Sequence, residues 1–211
     1  MKGYILEADL DEKGIKHLFH FTQARNLASI LKKGIIPRKH FEENNLLDDI
    51  GYNDQVRLDG HSDASCFSIG WPNYKMFYTY RKEYEDFGDP VDWVVLKVSR
   101  DILFKKRCAF CSENASKKSM TQIPLEDKRG VRAFDAMFYD SDKRLKLPSY
   151  IPTNPQAEVL VFENIETSYI NGVIFENKST YNKYRHLIPT NVHGITNAKI
   201  FGPRPDFENW R

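Results

Sequence analysis

Apolar and polar positions follow two periods along this chain. His17-Leu18-Phe19-His20-Phe21 predicts a short strand. Leu27, Ile30 and Leu31 then share one face at helical spacing, so a helix is expected after Thr22, capped by Thr22 and ended by Gly34 and Pro37. Up to Asp63 the pattern is polar with little periodicity and reads as a long loop or short helices. Residues 65–69 read as extended, and residues 74–81, after Pro72, as helical or turn-rich. Residues 92–98 (DWVVLKV) form a strongly β-branched core strand, 107–111 predict another strand and 130–138 another helix. A loop carrying Pro148, Pro152 and Pro155 leads into Glu158-Val159-Leu160-Val161-Phe162, whose unbroken apolar run predicts a strand buried on both faces. Residues 169–175 follow as a further strand.

Short strands predominate, and their alternation with helices is too irregular for stacked βαβ units. The pattern therefore predicts an α+β fold around packed sheets. With no internal repeat and no low-complexity linker, residues 1–211 are expected to form a single domain.

Composition narrows the class. Of 211 residues, 41% are apolar and 28% charged, which excludes a disordered tail, a collagen-like fibre and a membrane-spanning bundle. No apolar run approaches the roughly 20 residues needed to cross a bilayer. Glu7 and Asp9 arrive too early for a secretion signal, and three cysteines are too few for a disulfide framework. A reducing, cytoplasmic setting without membrane contact is expected.

Net charge is only +2, so bulk charge does not coat nucleic acid. Its distribution is uneven. Residues 42–63 hold seven acids and one base, Arg57, whereas residues 97–146 hold thirteen bases and seven acids. The basic stretch suits a phosphate backbone or simply a solvated face. Arg57, alone among acids, is either paired by them or kept for an anionic ligand.

Three features carry candidate chemistry. Glu158 opens a buried strand directly after a proline-limited loop, which suits either a paired boundary carboxylate or one at the lip of a cleft. His20 and Thr22, with Asn26 beyond, can place donors around a ribose or amide beside a helix N-terminus, although Thr22 is equally explained as a cap. Cys108 and Cys111 have metal-ligand spacing, and Cys66 with His61 would complete a zinc set. Strand alternation, however, sends Cys108 and Cys111 to opposite faces, where free cysteines pack as small apolar residues, so no metal is expected. The sequence contains no GxGxxG, P-loop, HExxH or GxSxG motif.

These segments together resemble the DarT-like DNA ADP-ribosyltransferases, toxins of bacterial toxin–antitoxin pairs. The matching blocks are His17-Leu18-Phe19-His20-Phe21-Thr22 with Asn26-Leu27-Ala28-Ser29-Ile30-Leu31 and Gly34; residues 67–80 (FSIGWPNYKMFYTY); residues 93–103; residues 108–115 (CAFCSENA); and Pro155-Gln156-Ala157-Glu158-Val159-Leu160-Val161. They cover most of residues 17–175, and the middle blocks look more like the guanine-modifying branch than the thymine-modifying one.

The resemblance implies an ADP-ribosyltransferase fold: two small packed β-sheets with peripheral helices and NAD+ as co-substrate in the cleft between them. It makes Glu158 the catalytic glutamate. It assigns His20, Phe21, Thr22 and Asn26 to NAD+ binding, Met76 and Tyr80 to the nicotinamide side, and Arg57 to the cofactor phosphates and the reaction. The loop before Glu158 would meet the DNA acceptor through Lys143, Arg144 and Lys146. Trp71 and Tyr150, each beside a proline, would stack on an unpaired base. Phe77 is expected in the core. A neutralising antitoxin, a macrodomain-type or other ADP-ribosyl hydrolase, is implied as partner. Two alternatives are a same-fold ADP-ribosyltransferase or 2′-phosphotransferase acting on RNA or protein, and a non-catalytic nucleic-acid-binding module.

Overall fold

The computed structural model describes residues 5–43, 58–88, 91–144 and 147–210. Seven strands form its centre: β1 (His17–Gln23), β2 (Ser65–Ile69), β3 (Trp93–Ser99), β4 (Cys108–Cys111), β5 (Glu158–Val161), β6 (Ile170–Phe175) and β7 (His193–Thr196). They lie in the order β4-β5-β2-β1-β3-β6-β7. Neighbours are antiparallel except β6 and β7, which run parallel. Among the described residues, four helices, α1 (Glu7–Lys13), α2 (Leu27–Lys33), α3 (Arg38–Glu43) and α4 (Tyr74–Asp86), precede β3 in the chain. Among the described residues no helix is long and apolar enough to cross a membrane.

β3 sits at the centre because its β-branched run suits burial on both faces, and Trp93 through Leu96 are all buried. It pairs with β1 from His17↔Ser99 to Gln23↔Trp93. The ladder between β1 and β2 is far shorter, with only Leu18↔Ile69 and Phe19↔Ser68 in register. The expected pair of small sheets is thus two halves of one mixed sheet, β4-β5-β2 and β1-β3-β6-β7, joined at a narrow seam.

One face of the sheet carries the largest apolar cluster, in which Leu18, Phe67, Leu96, Val159, Val161 and Phe175 meet. The other face is covered in two parts. Phe77 of α4 packs with Trp93, Val95 and Ile174, while Ala109, Cys111 and Leu160 pack with Ala115 and Met120. Phe77 is stacked on Phe21 at 4.6 Å, so it belongs to the core as expected.

Two expectations need correction. Thr22 does not cap the first long helix, because β1 continues through Gln23 with Thr22 opposite Val94. The chain then turns through a 3-10 segment, Ala24–Asn26, before α2, and Thr22 Oγ1 accepts a hydrogen bond from Asn26 Nδ2 at 2.9 Å. The predicted helix over 130–138 is an α-helix only at Val131–Asp135 and tightens to a 3-10 turn at Ala136–Phe138. Gly34 does end α2, at φ 86°; a Cβ there would come within 2.1 Å of the Ile165 carbonyl oxygen.

Candidate active site

Glu158 begins β5 opposite Cys111 of β4 and is 4% exposed. A carboxylate so buried is tolerated only where donors replace its lost water. Its Oε1 accepts from Asn73 Nδ2 at 3.1 Å, and its Oε2 accepts from the Ala115 N–H at 2.9 Å. The two donors come from different segments: Asn73 precedes α4, and Ala115 packs with Met120 and Leu160.

Asn73 is itself fixed. Its N–H donates to Ser68 Oγ at 3.0 Å, and its Oδ1 accepts from the Met76 N–H at 3.2 Å, capping α4. Only one orientation of the amide serves both Met76 and Glu158, so the cap of the helix dictates which atom faces the carboxylate.

The seam lies one strand away. β1 stops pairing with β2 after Phe19↔Ser68, and the His20 side chain spans the opening, with Nδ1 2.8 Å from the Cys66 carbonyl oxygen. A carbonyl only accepts, so Nδ1 carries the proton and donates. The ring lies 5.3 Å from Phe67. Thr22 and Asn26, both buried, form their own bonded pair. Phe21 turns to the opposite side, stacked on Phe77 with Tyr80 at 6.2 Å and Trp93 at 6.4 Å. The sequence-predicted cofactor residues therefore fall into two groups: His20, Thr22 and Asn26 in one, and Phe21 with Tyr80 of α4 in the other. Met76, half-buried on α4, joins this second element one turn from Tyr80.

The expected DNA-facing residues surround the loop before β5. Tyr150 is 39% exposed at its crest. Lys143 is exposed, with its ammonium 4.3 Å from the centre of the Trp210 ring. Arg144 differs from expectation: its guanidinium donates to the Ile151 carbonyl at 2.7 Å, the Ser149 carbonyl at 2.9 Å and Thr153 Oγ1 at 3.3 Å. These donors order the loop instead of pointing outward. Trp71 is half-buried and donates its indole N–H to the Gly202 carbonyl at 3.3 Å. Arg57 and Lys146 lie outside the described residues.

The cysteines take the packing role. Cys108 lies in the main core and Cys111 in the smaller cluster on the opposite face, as strand alternation predicts. Burial pushes both thiols up to about 12, so neither is a thiolate at neutral pH. His61 stands beside Asp63 and the edge of Phe162. Among the described residues no three His, Cys, Asp or Glu side chains are grouped to hold a metal.

Sequence reasoning missed two parts of this region. Asn73, between Pro72 and a helical run, carries a recognisable N-cap signal. Arg204, 2% exposed and paired through Nε to Asp206 at 2.5 Å, has none, because nothing local distinguishes a buried arginine from a surface one.

Comparison with known proteins places the chain in a family and its fold among solved structures. The family model described as DarT, ssDNA thymidine ADP-ribosyltransferase, matches residues 19–202. Three solved structures share the fold over 88% of this chain. A Thermosipho africanus DarTG in complex with ADP-ribose is 16% identical at a TM-score of 0.61, and the chain spans about half (51%) of its length. A Thermus sp. 2.9 DarT in complex with carba-NAD+ is 12% identical at a TM-score of 0.61, with 97% of its length covered. The same Thermus protein in complex with ADP-ribosylated ssDNA is 12% identical at a TM-score of 0.53, with 95% covered. No curated protein matches the sequence. The chain belongs to the DarT family of single-stranded-DNA ADP-ribosyltransferases.

Proposed function

We propose that this DarT-family chain transfers ADP-ribose from NAD+ to a base in single-stranded DNA, with Glu158 as its catalytic carboxylate. The observation that carries the reading is Glu158 itself: buried, at the mouth of a strand, and oriented by Asn73 and Ala115 rather than left to solvent. The Thermus relative held carba-NAD+ and, separately, ADP-ribosylated ssDNA, which supports both substrates.

Transfer breaks the bond between the nicotinamide nitrogen and ribose C1′; nicotinamide leaves with the electron pair, and cationic character grows on C1′. A carboxylate held beside the ribose hydroxyl stabilises that charge as it develops. A base nitrogen then bonds to C1′, and its displaced proton passes to Glu158 or to water. Paired bases have these nitrogens occupied, which accounts for an unpaired acceptor. His20, Thr22 and Asn26 hold one part of NAD+ beside the seam, while Phe21, Met76 and Tyr80 border the nicotinamide side. Arg57 neutralises the pyrophosphate. Tyr150, Lys143, Lys146 and Trp71 serve the DNA, and Arg144 acts through the loop.

Guanine is the favoured acceptor, from the likeness of residues 67–80 and 108–115 to the guanine-modifying branch, although the matching family model is that of a thymidine-modifying enzyme. In this reading the protein is a cytoplasmic toxin whose antitoxin is a macrodomain-type or other ADP-ribosyl hydrolase.

Labelled NAD+ incubated with matched single-stranded DNA, RNA and protein tests it. Label enters DNA containing guanine and spares oligonucleotides that lack it. Label confined to thymine-containing DNA overturns the base assignment, and label absent from all DNA overturns the acceptor. Arg57→Ala weakens NAD+ binding as well as turnover; unchanged affinity removes Arg57 from its role.

A further inference from the structure

The loop that ends at Glu158 is gripped from two sides by guanidinium groups. Arg144 donates to the carbonyls of Ser149 and Ile151 and to the Thr153 hydroxyl. Arg204, far along the chain, donates through Nη1 to the Pro152 carbonyl and through Nη2 to the Thr153 carbonyl, both at 2.8 Å. Asp206 holds Arg204 by a two-pronged pair at 2.5 and 2.6 Å. Thr153 completes the clamp, its N–H donating to the Met137 carbonyl at 2.9 Å and its hydroxyl to the Tyr139 carbonyl at 2.7 Å. On the β2 side, a Cβ on Gly70 would come within 3.0 Å of the Tyr150 carbonyl oxygen.

A buried ion pair is a poor way to gain stability, since apolar residues of similar volume do as well or better. Its strength lies in geometry: a planar fork fixes backbone carbonyls that have no strand or helix to satisfy them. Here the fork fixes the segment that presents Tyr150 outward. The tail carrying the fork also reaches the neighbouring elements. Trp210 donates its indole N–H to Asp206 at 2.9 Å, lies beneath the Lys143 ammonium, and its carbonyl accepts from Lys75 of α4.

We propose that Arg204, held by Asp206 and Trp210, is a positioning residue for the nucleic-acid acceptor: it presets the shape of residues 148–153, so that single-stranded DNA meets a rigid platform crowned by Tyr150. The proposal rests on the DNA reading above. A preset platform lowers the ordering cost of binding the acceptor and leaves the NAD+ side unaltered.

The test compares the full chain with Arg204→Lys, which keeps the charge but not the fork, and with Trp210→Phe, which removes the indole donor to Asp206 and leaves a smaller ring under Lys143, so that amide exchange at Ile151 and Thr153 is the reading that isolates the clamp. KM is measured separately for a single-stranded oligonucleotide and for NAD+, alongside amide exchange at Ile151 and Thr153. Arg204→Lys raises KM for DNA by about ten-fold, keeps KM for NAD+ within about two-fold, and speeds exchange at both amides. Trp210→Phe moves the same quantities the same way by a smaller factor, and decides the matter alone if Arg204→Lys does not fold. Equal loss on both substrates, or an unchanged KM for DNA, overturns the proposal. If the unaltered chain labels RNA instead, the DNA reading fails while the clamp is judged by the same split measured with RNA.

Discussion

Asn73 places its amide nitrogen 3.1 Å from Glu158 Oε1 while its amide oxygen caps α4 through the Met76 N–H. The start of α4 and the Glu158 carboxylate are thereby referred to one side chain. The aim of Glu158 follows the position of α4, the helix that carries Met76 and Tyr80.

Asn73→Ala removes both contacts. The lost cap and donor destabilise the protein by about 1–3 kcal/mol, and kcat falls because Glu158 loses the amide that orients its Oε1. Asn73→Asp keeps the cap and the size but sets a second carboxylate against the first. Thermal unfolding beside turnover checks this: Asn73→Asp, despite its cap, is less stable at neutral pH than Asn73→Ala and loses at least as much activity, because two buried carboxylates about 3 Å apart cannot both ionise.

Glu158→Gln preserves shape and exchanges charge for an amide. Transfer falls by about 10²–10⁴-fold, the range expected when one acid–base or charge-stabilising group is removed. NAD+ affinity, measured by calorimetry, stays largely intact, because the carboxylate acts on charge that appears only as the bond breaks.

His17 provides a pH signature unrelated to catalysis. Burial, aided by Lys97 and Lys16, lowers its pKa from 6.5 to about 4, so the fold prefers the neutral ring. In the unfolded chain the ring takes its proton near pH 6.5, and in the folded chain only near 4. Its share of stability is thus complete above pH 6.5 and lost as the pH falls towards 4. Denaturant midpoints across that window show a shallower acid slope in His17→Asn than in the unaltered protein.

Phe77→Ala opens a cavity beneath α4 where Phe21, Trp93 and Phe201 converge. The expected cost is about 3–5 kcal/mol, and the melting temperature falls accordingly. Phe21→Leu, trimming the other half of the stacked pair, costs less. If Phe21 also borders NAD+, its variant weakens cofactor binding beyond what the lost stability explains.

Much of the frame was legible because it is local. The β-branched run of β3 and the unbroken apolar run of β5 announce buried strands, and an acid opening such a strand after three prolines marks Glu158. Thr22 reads either way for the same reason: cap and strand-end are both good local homes for threonine, and pairing with Val94, 72 positions along the chain, decides between them. Arg144 and Arg204 carry no local sign of their targets. Their partners are backbone carbonyls, which every residue possesses, so only the folded path of residues 148–153 reveals them.

The short ladder at Leu18↔Ile69 and Phe19↔Ser68 has a mechanical consequence. A load drawing the molecule apart meets its weakest line there, since β1 is held to β3 along its whole length. The apolar cluster that joins Leu18 and Leu96 to Phe67 and Val159 spans that line, so side-chain packing carries across it what the short ladder does not.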